Sequence, residues 1–370
     1  MPIQNSEYIL NYGPHHPSTH GIMRLVLNLQ GEKILACTPE IGYLHRDVEK
    51  LVEDRNFLSI IPYIDRLDYL APVIQEHAYV MAIEKLLNIK VPRRALKIRA
   101  IFDELTRISS HIMAIGCLTY DLGCLSLFLY GFEEREKIMD IFEATTGARM
   151  HLAYYVPGGV TDDVSRETLN AIKLFINKLG FYMDAVKKMA LNNRIFQQRT
   201  KGIGVISKEI AIKNGITGVN LRASGEAYDI RRSVHYGIYN ELTFEPITLN
   251  EGDCYARNML RFLEIEQSVW LIKQCLNLIE PGEICAYDCF SKDIRLPKNS
   301  VIYSSTETPR GEFGIHLFTG EEQSKPYRLR FRSPSFATIQ LLKTLLVGHT
   351  IPDIPAILGS LDFVMGCCDR

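Results

Sequence analysis

A loop at residues 13–21, with the sequence GPHHPSTHG, restricts the fold of this chain more than any other stretch. Pro17 lacks a backbone N–H and has a fixed φ, and the flanking glycines accept positive φ, so neither an α-helix nor a central β-strand continues through it. Strand-like runs lie on both sides, at 8–10 and 23–29, which predicts a loop that joins two strands. An imidazole on such a loop can donate a proton near neutral pH, whereas solvated histidines without a function are the alternative. The three histidines are His15, His16 and His20.

The charge balance excludes whole classes of partner. With 42 Lys and Arg against 43 Asp and Glu, the formal net charge is −1, and no basic run indicates a nucleic-acid partner. The polar first residues predict neither a signal peptide nor an Arg-rich presequence. An apolar run at 114–132 has the length of a membrane span, but Asp121 lies near its middle. Because a carboxylate inside a bilayer is costly, we interpret this run as a buried core helix.

Hydrophobic periodicity predicts an α+β fold with a central helical bundle, a β-rich N-terminal region and a mixed C-terminal region. The predicted helices cover residues 48–54, 72–90, 93–145 with interruptions near Gly116 and Gly123, 164–179, 181–199, 252–279 and 336–347. Residues 161–163 are the predicted N-cap of the 164–179 helix, and residues 200–250 are predicted to be β-like and rich in turns. The chain divides into a β-rich region with the histidine loop (1–60), a helical core (61–200) and a mixed α/β region that packs on the core (201–370).

Four groups of residues are candidates to complete a site with the loop histidines. They are His45 with Arg46, the run 65–69, Asp121, and the run 149–151. Each group also has a structural interpretation. Asp65 can simply pair with Arg66, and Asp121 can cap a helix that is broken at Gly123.

Most of the familiar catalytic motifs are missing from the sequence. A zinc site at His16 and His20 is disfavoured because Pro17 prevents a helical i,i+4 pair, and no other Cys or His spacing completes a tetrahedral set. The chain contains no phosphate-binding loop, no dinucleotide glycine fingerprint and no Gly-x-Ser-x-Gly elbow. No Cys-x-x-Cys pair occurs either.

Taken together, these segments closely resemble the quinone-site core subunit of respiratory complex I, called the D or 49 kDa subunit, and its plastid relative. The matching runs follow one another along nearly the whole chain. They are 13–21 (GPHHPSTHG), 41–46 (IGYLHR), 65–69 (DRLDY), 82–88 (AIEKLLN), 132–136 (FEERE), 146–151 (TGARMH), 221–225 (LRASG), 310–314 (RGEFG) and 369–370 (DR).

The family is related to the large subunit of nickel–iron hydrogenases, so the resemblance implies a hydrogenase-like fold, and a hydrogenase is the rival interpretation. Such an enzyme binds its metal through two Cys-x-x-Cys pairs, because soft metals prefer thiolates. At the corresponding positions this chain has GYLH at 42–45 and VMGC at 364–367, with one thiol in Cys367. One ligand of four does not make a site, so we expect no metal to be bound by this chain.

The resemblance implies that the chain reduces a quinone, ubiquinone or another, to quinol in a pocket shared with a neighbouring subunit that carries a [4Fe–4S] cluster. It places His20 and Tyr69 beside the quinone headgroup and pairs Asp121 with His20. These residue types suit the chemistry, since both quinone oxygens gain negative charge and a proton, and a phenol and an imidazolium can donate them. A carboxylate beside the imidazole favours its protonated form.

Further site residues and partners come from the same resemblance. It implies that His16, Arg46, Arg66 and His151 are cofactor-facing residues, the last three near the neighbour's cluster, where positive charge raises the reduction potential. The chain itself would hold no cofactor. Its expected partners are the iron–sulfur subunit, other peripheral-arm subunits and membrane-arm subunits at the quinone entrance.

The expected setting is the peripheral arm of complex I, on the matrix side of the mitochondrial inner membrane or the cytoplasmic side of a bacterial one. NADH is the expected electron donor, with proton translocation coupled to the reaction. A scaffold subunit with a decayed pocket and a ferredoxin-dependent plastid-type subunit are the alternatives. The chain departs from the usual family pattern at Val156, where an arginine is common, between Ile284 and Val301, where it is short, and at its GCC sequence near the C-terminus.

Overall fold

A computed structural model describes residues 7–14, 21–286 and 294–370 of the chain. Over these residues the protein is a mixed α/β structure in which a helical core carries small antiparallel sheets. The predicted α+β class is therefore confirmed.

The N-terminal sheet is an antiparallel meander in the order β1-β2-β3. Its strands are β1 (Glu7–Tyr12), β2 (Arg24–Gln30) and β3 (Lys33–Glu40). Alternate residues of β2, namely Leu25, Leu27 and Leu29, are buried, as expected for a sheet with one face on a core. The strands predicted on both sides of the histidine loop are confirmed.

Five helices follow, and they form much of the core. They are α1 (Val48–Leu51), which continues into a 3₁₀ turn at Val52–Asp54, α2 (Phe57–Ile64), α3 (Pro72–Leu87), α4 (Arg93–Asp121) and α5 (Leu125–Thr146). The helix predicted at 93–145 breaks at Gly123, where φ is +91°, but continues through Gly116. The apolar run at 114–132 is thus divided between α4 and α5. Within the described ranges, no helix has the length and apolar character needed to cross a membrane.

Helix α3 shows how this core holds charge as well as hydrocarbon. Pro72 occupies its first turn, where a missing N–H costs nothing, and Asn88 ends it in the left-handed conformation with φ of 52°. Residues 72–84 are buried on all sides of the helix, including Gln75, Glu76 and Glu84. Polar groups at such positions need dedicated partners.

A short hairpin and a series of helices follow. They are β4 (Tyr155–Val156), β5 (Gly159–Val160), α6 (Arg166–Lys178), α7 (Gly180–Val186) with a π-helical turn at Lys187–Leu191, α8 (Arg194–Thr200), α9 (Lys208–Lys213), α10 (Val219–Arg222), α11 (Ile230–Ser233), a 3₁₀ turn at Tyr239–Glu241 and α12 (Cys254–Leu278).

Three predictions in this part of the chain need correction. The N-cap of α6 is Ser165, whose side chain accepts a hydrogen bond from the N–H of Thr168, and not residues 161–163. The helix predicted at 181–199 is broken before α8, which Asn193 caps. Residues 200–250 form short helices instead of strands, because their positive-φ glycines end and connect helices. The prediction of α12 is confirmed.

The C-terminal part pairs a second meander with four helices. Its elements are β6 (Val301–Thr308), β7 (Gly311–Thr319), β8 (Pro326–Arg332), α13 (Pro334–Gln340), α14 (Leu342–Leu345), α15 (Asp353–Leu361) and α16 (Met365–Asp369). The single helix predicted at 336–347 is thus two short helices. The second sheet packs on α3, where Thr306 donates a hydrogen bond to the carbonyl oxygen of Ile74 at 2.9 Å. Helices α13 to α15 share a core with the N-terminal sheet.

Candidate functional site

Tyr69 lies on the short connection between α2 and α3, where its neighbours fix the backbone. Asp68 is 2% exposed; its carbonyl oxygen accepts from Nε2 of Gln75 at 3.0 Å, and its N–H donates to Oε1 of Gln75 at 3.3 Å. The Tyr69 side chain is half-buried. Burial, and then the charge of Asp68, raises the pKa of Tyr69. The phenol therefore stays protonated near neutral pH and can donate a hydrogen bond.

Arg310 connects Asp68 to the C-terminal segment from the turn between β6 and β7. Its Nη1 donates to Oδ2 of Asp68 at 2.9 Å and to Oγ of Ser110 at 3.1 Å, and its Nη2 donates to Oδ1 of Asp362 at 3.3 Å. All four side chains are buried. Burial raises the pKa of Asp68, and the positive charge of Arg310 opposes this rise. This buried ion cluster holds the backbone from which Tyr69 projects.

Arg46 reaches the same region from the segment after β3. Its Nη2 donates to the carbonyl oxygens of Arg66 at 2.7 Å and Gly366 at 3.4 Å. Arg46 and Tyr69 also interact electrostatically, since each perturbs the pKa of the other. Gly366 must be small, because a Cβ there would lie 2.7 Å from the carbonyl oxygen of Leu67.

The end of the chain holds the segment that carries Arg46. The carboxylate of Asp369 accepts from the N–H groups of Gly42 at 3.0 Å and Leu44 at 2.9 Å. The N–H of Arg46 donates to the carbonyl oxygen of Arg370 at 3.0 Å. The position of Arg46 therefore depends on residues more than 300 positions away.

Arg46, Arg66 and His151 form a patch that we call the basic face. Both arginines are exposed and His151 is half-buried. Burial, and then the charge of Arg66, lowers the pKa of Arg46. Burial and the same arginine lower the pKa of His151, so that the neutral imidazole is favoured in the isolated chain. The basic face is suited to a partner that carries negative charge.

His151 lies in an unusual stretch of backbone. It has φ of 57°, and Ala153 has φ of 44°. Such left-handed conformations are costly for residues with a Cβ and persist only where the surroundings impose them. The interpretation that Asp65 only pairs with Arg66 is wrong, since Asp65 is buried, accepts from the N–H of Ala153 at 3.0 Å and has no ion pair to Arg66 among the described residues.

Asp121 is the last residue of α4 and does not cap it. Its Oδ2 is buried and has no hydrogen-bond donor among the described residues. Gly359 of α15 closes one side, where an added Cβ would lie 3.5 Å from this oxygen. Burial raises the pKa of Asp121 to about 6. Burial, and then the charge of Asp121, raises the pKa of Tyr12, which shows that the end of β1 lies near this carboxyl group.

His16 and His20 lie outside the described residues, so their predicted positions are not tested. The described residues on either side of them meet the site. Tyr12 lies near Asp121. Gly21 has φ of +103°, and an added Cβ would lie 2.7 Å from Cβ of Met365 in α16.

The predicted residues fall into two groups. Tyr69, Arg46, Arg66 and His151 come together at the end of α2, whereas Asp121 lies at the end of α4 with no hydrogen bond or ion pair to Tyr69 among the described residues. Sequence reasoning assigned no role to Arg310. Its position in the RGEFG run was visible, but its burial between two carboxylates was not.

Cys367, the one thiol considered above as a possible metal ligand, is not prepared to bind a metal. Cys367 is buried, its Sγ lies 3.0 Å from Oγ of Ser333, and burial raises its pKa to about 12. The thiol therefore stays protonated, whereas a metal ligand must be a thiolate. Across 7–14, 21–286 and 294–370, no group of three or more His, Cys, Asp or Glu side chains is placed to hold a metal ion.

Comparison with known protein families places the chain in the respiratory-chain dehydrogenase class. The sequence model of the family described as respiratory-chain NADH dehydrogenase, 49 Kd subunit, matches residues 121–289 and 282–370. The chain therefore belongs to the family of the 49 kDa subunit, which is also called the D subunit.

Full-length relatives agree with this assignment. The chain is 42% identical to the D subunit of NADH-quinone oxidoreductase from Methylobacillus flagellatus, over 98% of this chain and 99% of the relative. It is 41% identical to the NADH-ubiquinone oxidoreductase 49 kDa subunit of Reclinomonas americana, over 98% of this chain and 97% of the relative. It is 39% identical to the NADH-ubiquinone oxidoreductase 49 kDa subunit of Pylaiella littoralis, over 98% of this chain and 96% of the relative.

Proposed function

We propose that this chain is the core subunit of respiratory complex I that forms, with an adjacent iron–sulfur subunit, the site where electrons from NADH reduce quinone to quinol. The observation that carries the proposal is the placement of a protonated phenol, Tyr69, next to the basic face. A hydrogen-bond donor for a quinone oxygen and positive charge for an electron-rich partner lie side by side.

The quinone chemistry needs two proton donors. Reduction to quinol gives both carbonyl oxygens negative charge, and each must then be protonated. Tyr69 supplies one donor, with its base held by Asp68 and Arg310. We assign the second donor to His20, with His16 on the same loop, because Tyr12 and Gly21 on either side lie against Asp121 and α16.

Asp121 is the proposed partner of His20. Its buried Oδ2 needs a donor that the described residues do not supply, which a loop imidazole would provide. Transfer of the imidazole proton to an oxygen of the reduced quinone, which forms quinol, would leave Asp121 as an unpaired buried anion, and this charge change would couple the reaction to proton translocation. Full proton translocation per electron in Asp121→Asn would contradict this role.

The basic face is the proposed contact with the neighbouring subunit. A [4Fe–4S] cluster there would supply electrons one at a time, and the cluster would be held by the partner and not by this chain. Arg46, Arg66 and His151 would stabilise the added negative charge and exclude water at the contact. Other peripheral-arm subunits, and membrane-arm subunits at the quinone entrance, are the further proposed partners.

The proposed setting is the peripheral arm of complex I, at the mitochondrial inner membrane on its matrix side or at a bacterial membrane on its cytoplasmic side. We also propose that the fold is similar to that of the hydrogenase large subunit. The chain is proposed to divide into three regions, with boundaries at residues 60 and 200. Either ubiquinone or another quinone fits these donors.

The test compares two activities in membranes that carry Tyr69→Phe. Quinone reduction is expected to fall sharply, while NADH oxidation with an artificial acceptor continues, because only the quinone end loses a donor. Tyr255→Phe is the control, since Tyr255 lies on α12 and donates to the carbonyl oxygen of Leu191 at 3.2 Å, outside the basic face. Unchanged quinone reduction in Tyr69→Phe would make the chain a scaffold.

A further inference from the structure

Two buried carboxyl groups lie directly behind the basic face. Asp65 follows the last residue of α2 and Glu76 lies on α3; both are 0% exposed, and both accept hydrogen bonds from the same short backbone segment, 153–155. Oδ2 of Asp65 accepts from the N–H of Ala153 at 3.0 Å. Oε2 of Glu76 accepts from the N–H groups of Tyr154 and Tyr155, each at 2.8 Å.

The remaining oxygens of the pair determine its protonation. Oδ1 of Asp65 and Oε1 of Glu76 are buried and have no hydrogen-bond partner among the described residues. A hydrogen bond between two carboxyl groups needs a proton, because carboxylates only accept. Two adjacent carboxylates cannot both be ionised in a buried site, so the pair holds one proton.

The charges around the pair favour the proton on Glu76. Arg66 and His151 face Asp65, whereas the phenol of Tyr155 faces Glu76. Burial, then the charge of Asp65, raises the pKa of Glu76 well above its ordinary value. Burial also raises the pKa of Asp65, against the opposing effects of its hydrogen bonds and of the two basic groups.

We propose that Asp65 and Glu76 are positioning residues that share one proton and thereby hold His151 at the basic face. Together they bind the N–H groups of three successive residues, 153–155, directly after the left-handed backbone at His151. The pair supplies the constraint that this unfavourable backbone requires. The functional part of this inference rests on the proposed role of the basic face, whereas the shared proton does not.

Glu84 on the same helix provides a built-in comparison. It is also buried, and its Oε1 accepts from a backbone N–H, that of Gly158, at 2.8 Å. Its partner, however, is Arg99, with Nη2 at 2.7 Å and Nη1 at 3.2 Å. Burial acts to raise the pKa of Glu84, but Arg99 outweighs it and the pKa is lowered. Glu84 is therefore ionised where Glu76 is not.

Amide substitutions in the assembled complex test the shared proton. Gln at position 76 can accept from the two N–H groups with its oxygen and donate to Asp65 with its nitrogen, so Glu76→Gln is expected to assemble and reduce quinone within about twofold of wild type. In Asp65→Asn, the amide oxygen can accept from the N–H of Ala153 and the amide nitrogen can donate to Glu76. This variant is expected to lose somewhat more quinone reduction than Glu76→Gln. The double variant places two amide nitrogens against each other and is expected to lose roughly tenfold or more of assembled chain or of quinone reduction.

Glu84→Gln is the matched control, and it is expected to lose assembled chain because a neutral amide leaves buried Arg99 unpaired. The pH profile separates a shared proton from a purely steric role. The raised pKa of Glu76 means that its stabilising effect is present at low pH and is lost as the pH rises through that value. Glu76→Gln cannot lose this proton, so its heat stability is expected to fall less than that of wild type as the pH rises.

The outcomes are separable from those of the Tyr69 experiment. A double variant as stable and active as the single variants, or a Glu76→Gln variant as damaged as Glu84→Gln, would overturn the shared proton. If the double variant fails to assemble, the pH profile of Glu76→Gln still decides, and a profile parallel to wild type would contradict the proposal. Reduced stability of the double variant with normal quinone reduction would keep the shared proton and remove the role of the basic face.

Discussion

Arg310 donates a hydrogen bond from Nη1 to Oδ2 of Asp68 at 2.9 Å, although the two residues are 242 positions apart in the chain. Asp68 immediately precedes Tyr69, so this buried contact fixes the base of the phenol on which the proposed function depends. The other nitrogen of Arg310 reaches Asp362. Arg310, which contacts no proposed substrate, thus helps to position Tyr69, which is proposed to contact the quinone.

Replacement of Arg310 by methionine is expected to damage the fold and the site together. The change leaves Asp68 and Asp362 without their shared cation in a buried region, at an expected cost of about 3–5 kcal/mol. The measurement is the amount of this chain in the assembled complex and its heat stability. Arg330→Met, at an exposed position of β8, is the control and is expected to have little effect. If Arg310→Met is present in the assembled complex in a normal amount and with normal heat stability, the buried ion cluster does not stabilise the fold.

Asp121→Asn is expected to change the pH dependence of stability. Burial raises the pKa of Asp121 from 3.8 to about 6. A carboxyl group with a raised pKa leaves stability at its full value below the unfolded-state pKa of 3.8, and stability is then lost progressively until the pH reaches the folded-state value of about 6. The neutral asparagine escapes this loss, so the variant should gain heat stability relative to wild type as the pH rises from 3.8 to about 6. The midpoint of thermal inactivation, measured across this range, checks the prediction.

Asp184→Asn, at an exposed position of α7, is the control for Asp121→Asn and should track wild type at every pH. A constant difference between Asp121→Asn and wild type would mean that the carboxyl group does not titrate in this range. Such a result would mean that a charged partner, the role proposed for the imidazolium of His20, keeps Asp121 ionised throughout, so that the proposed pair would stand and the pH prediction would fail.

Arg66→Met is expected to lower the reduction potential of the partner's cluster. Arg66 is exposed and carries a positive charge on the basic face, so its removal disfavours the added electron by a few tens of millivolts. Redox titration of the cluster signal in the assembled complex measures the shift. Arg330→Met again serves as the control. An unchanged potential would place the cluster away from the basic face.

Gly366→Ala is expected to disturb the contact between Arg46 and the C-terminal segment. A Cβ at this position would lie 2.7 Å from the carbonyl oxygen of Leu67 and 3.3 Å from Nη2 of Arg46, so backbone must shift, at about 1–3 kcal/mol. Quinone reduction per assembled complex is the measurement. Gly180→Ala, where an added Cβ meets nothing within 4 Å, is the control and should be neutral or slightly stabilising. Equal activity of the two variants would show that the contact is dispensable.

Local patterns predicted much of the helical framework. The periodicity of α3, α4 and α12, the break at Gly123 and the strands on either side of the histidine loop all followed from spacing and from glycine and proline positions. The prediction of β-like structure at residues 200–250 was wrong because glycine ends short helices as readily as it marks turns between strands. The choice between the two depends on tertiary packing that local spacing does not record.

The site was predictable only in part. The runs that contain Arg46, Arg66, Tyr69 and His151 were visible, and the structure brings these residues together. The protonation of the buried carboxyl groups could not be predicted, because Glu76 and Glu84 look alike in the sequence. They differ in their neighbours in the structure, since Glu76 lies near the carboxyl group of Asp65 and Glu84 pairs with Arg99. The partners of a buried carboxyl group come from distant segments, which no local pattern reveals.

The long separation between the residues of the site has a consequence for the order of folding. The contact of Arg46 with Gly366 spans 320 positions and that of Gly42 with Asp369 spans 327. Closing such long loops costs entropy before any contact compensates for it, whereas α4 and α5 are joined by a short turn. We expect the helical hairpin to form early and the surroundings of Tyr69 late. A newly made chain would then pass through a stage with a formed core and an open site, in which the surroundings of Tyr69 are not yet assembled.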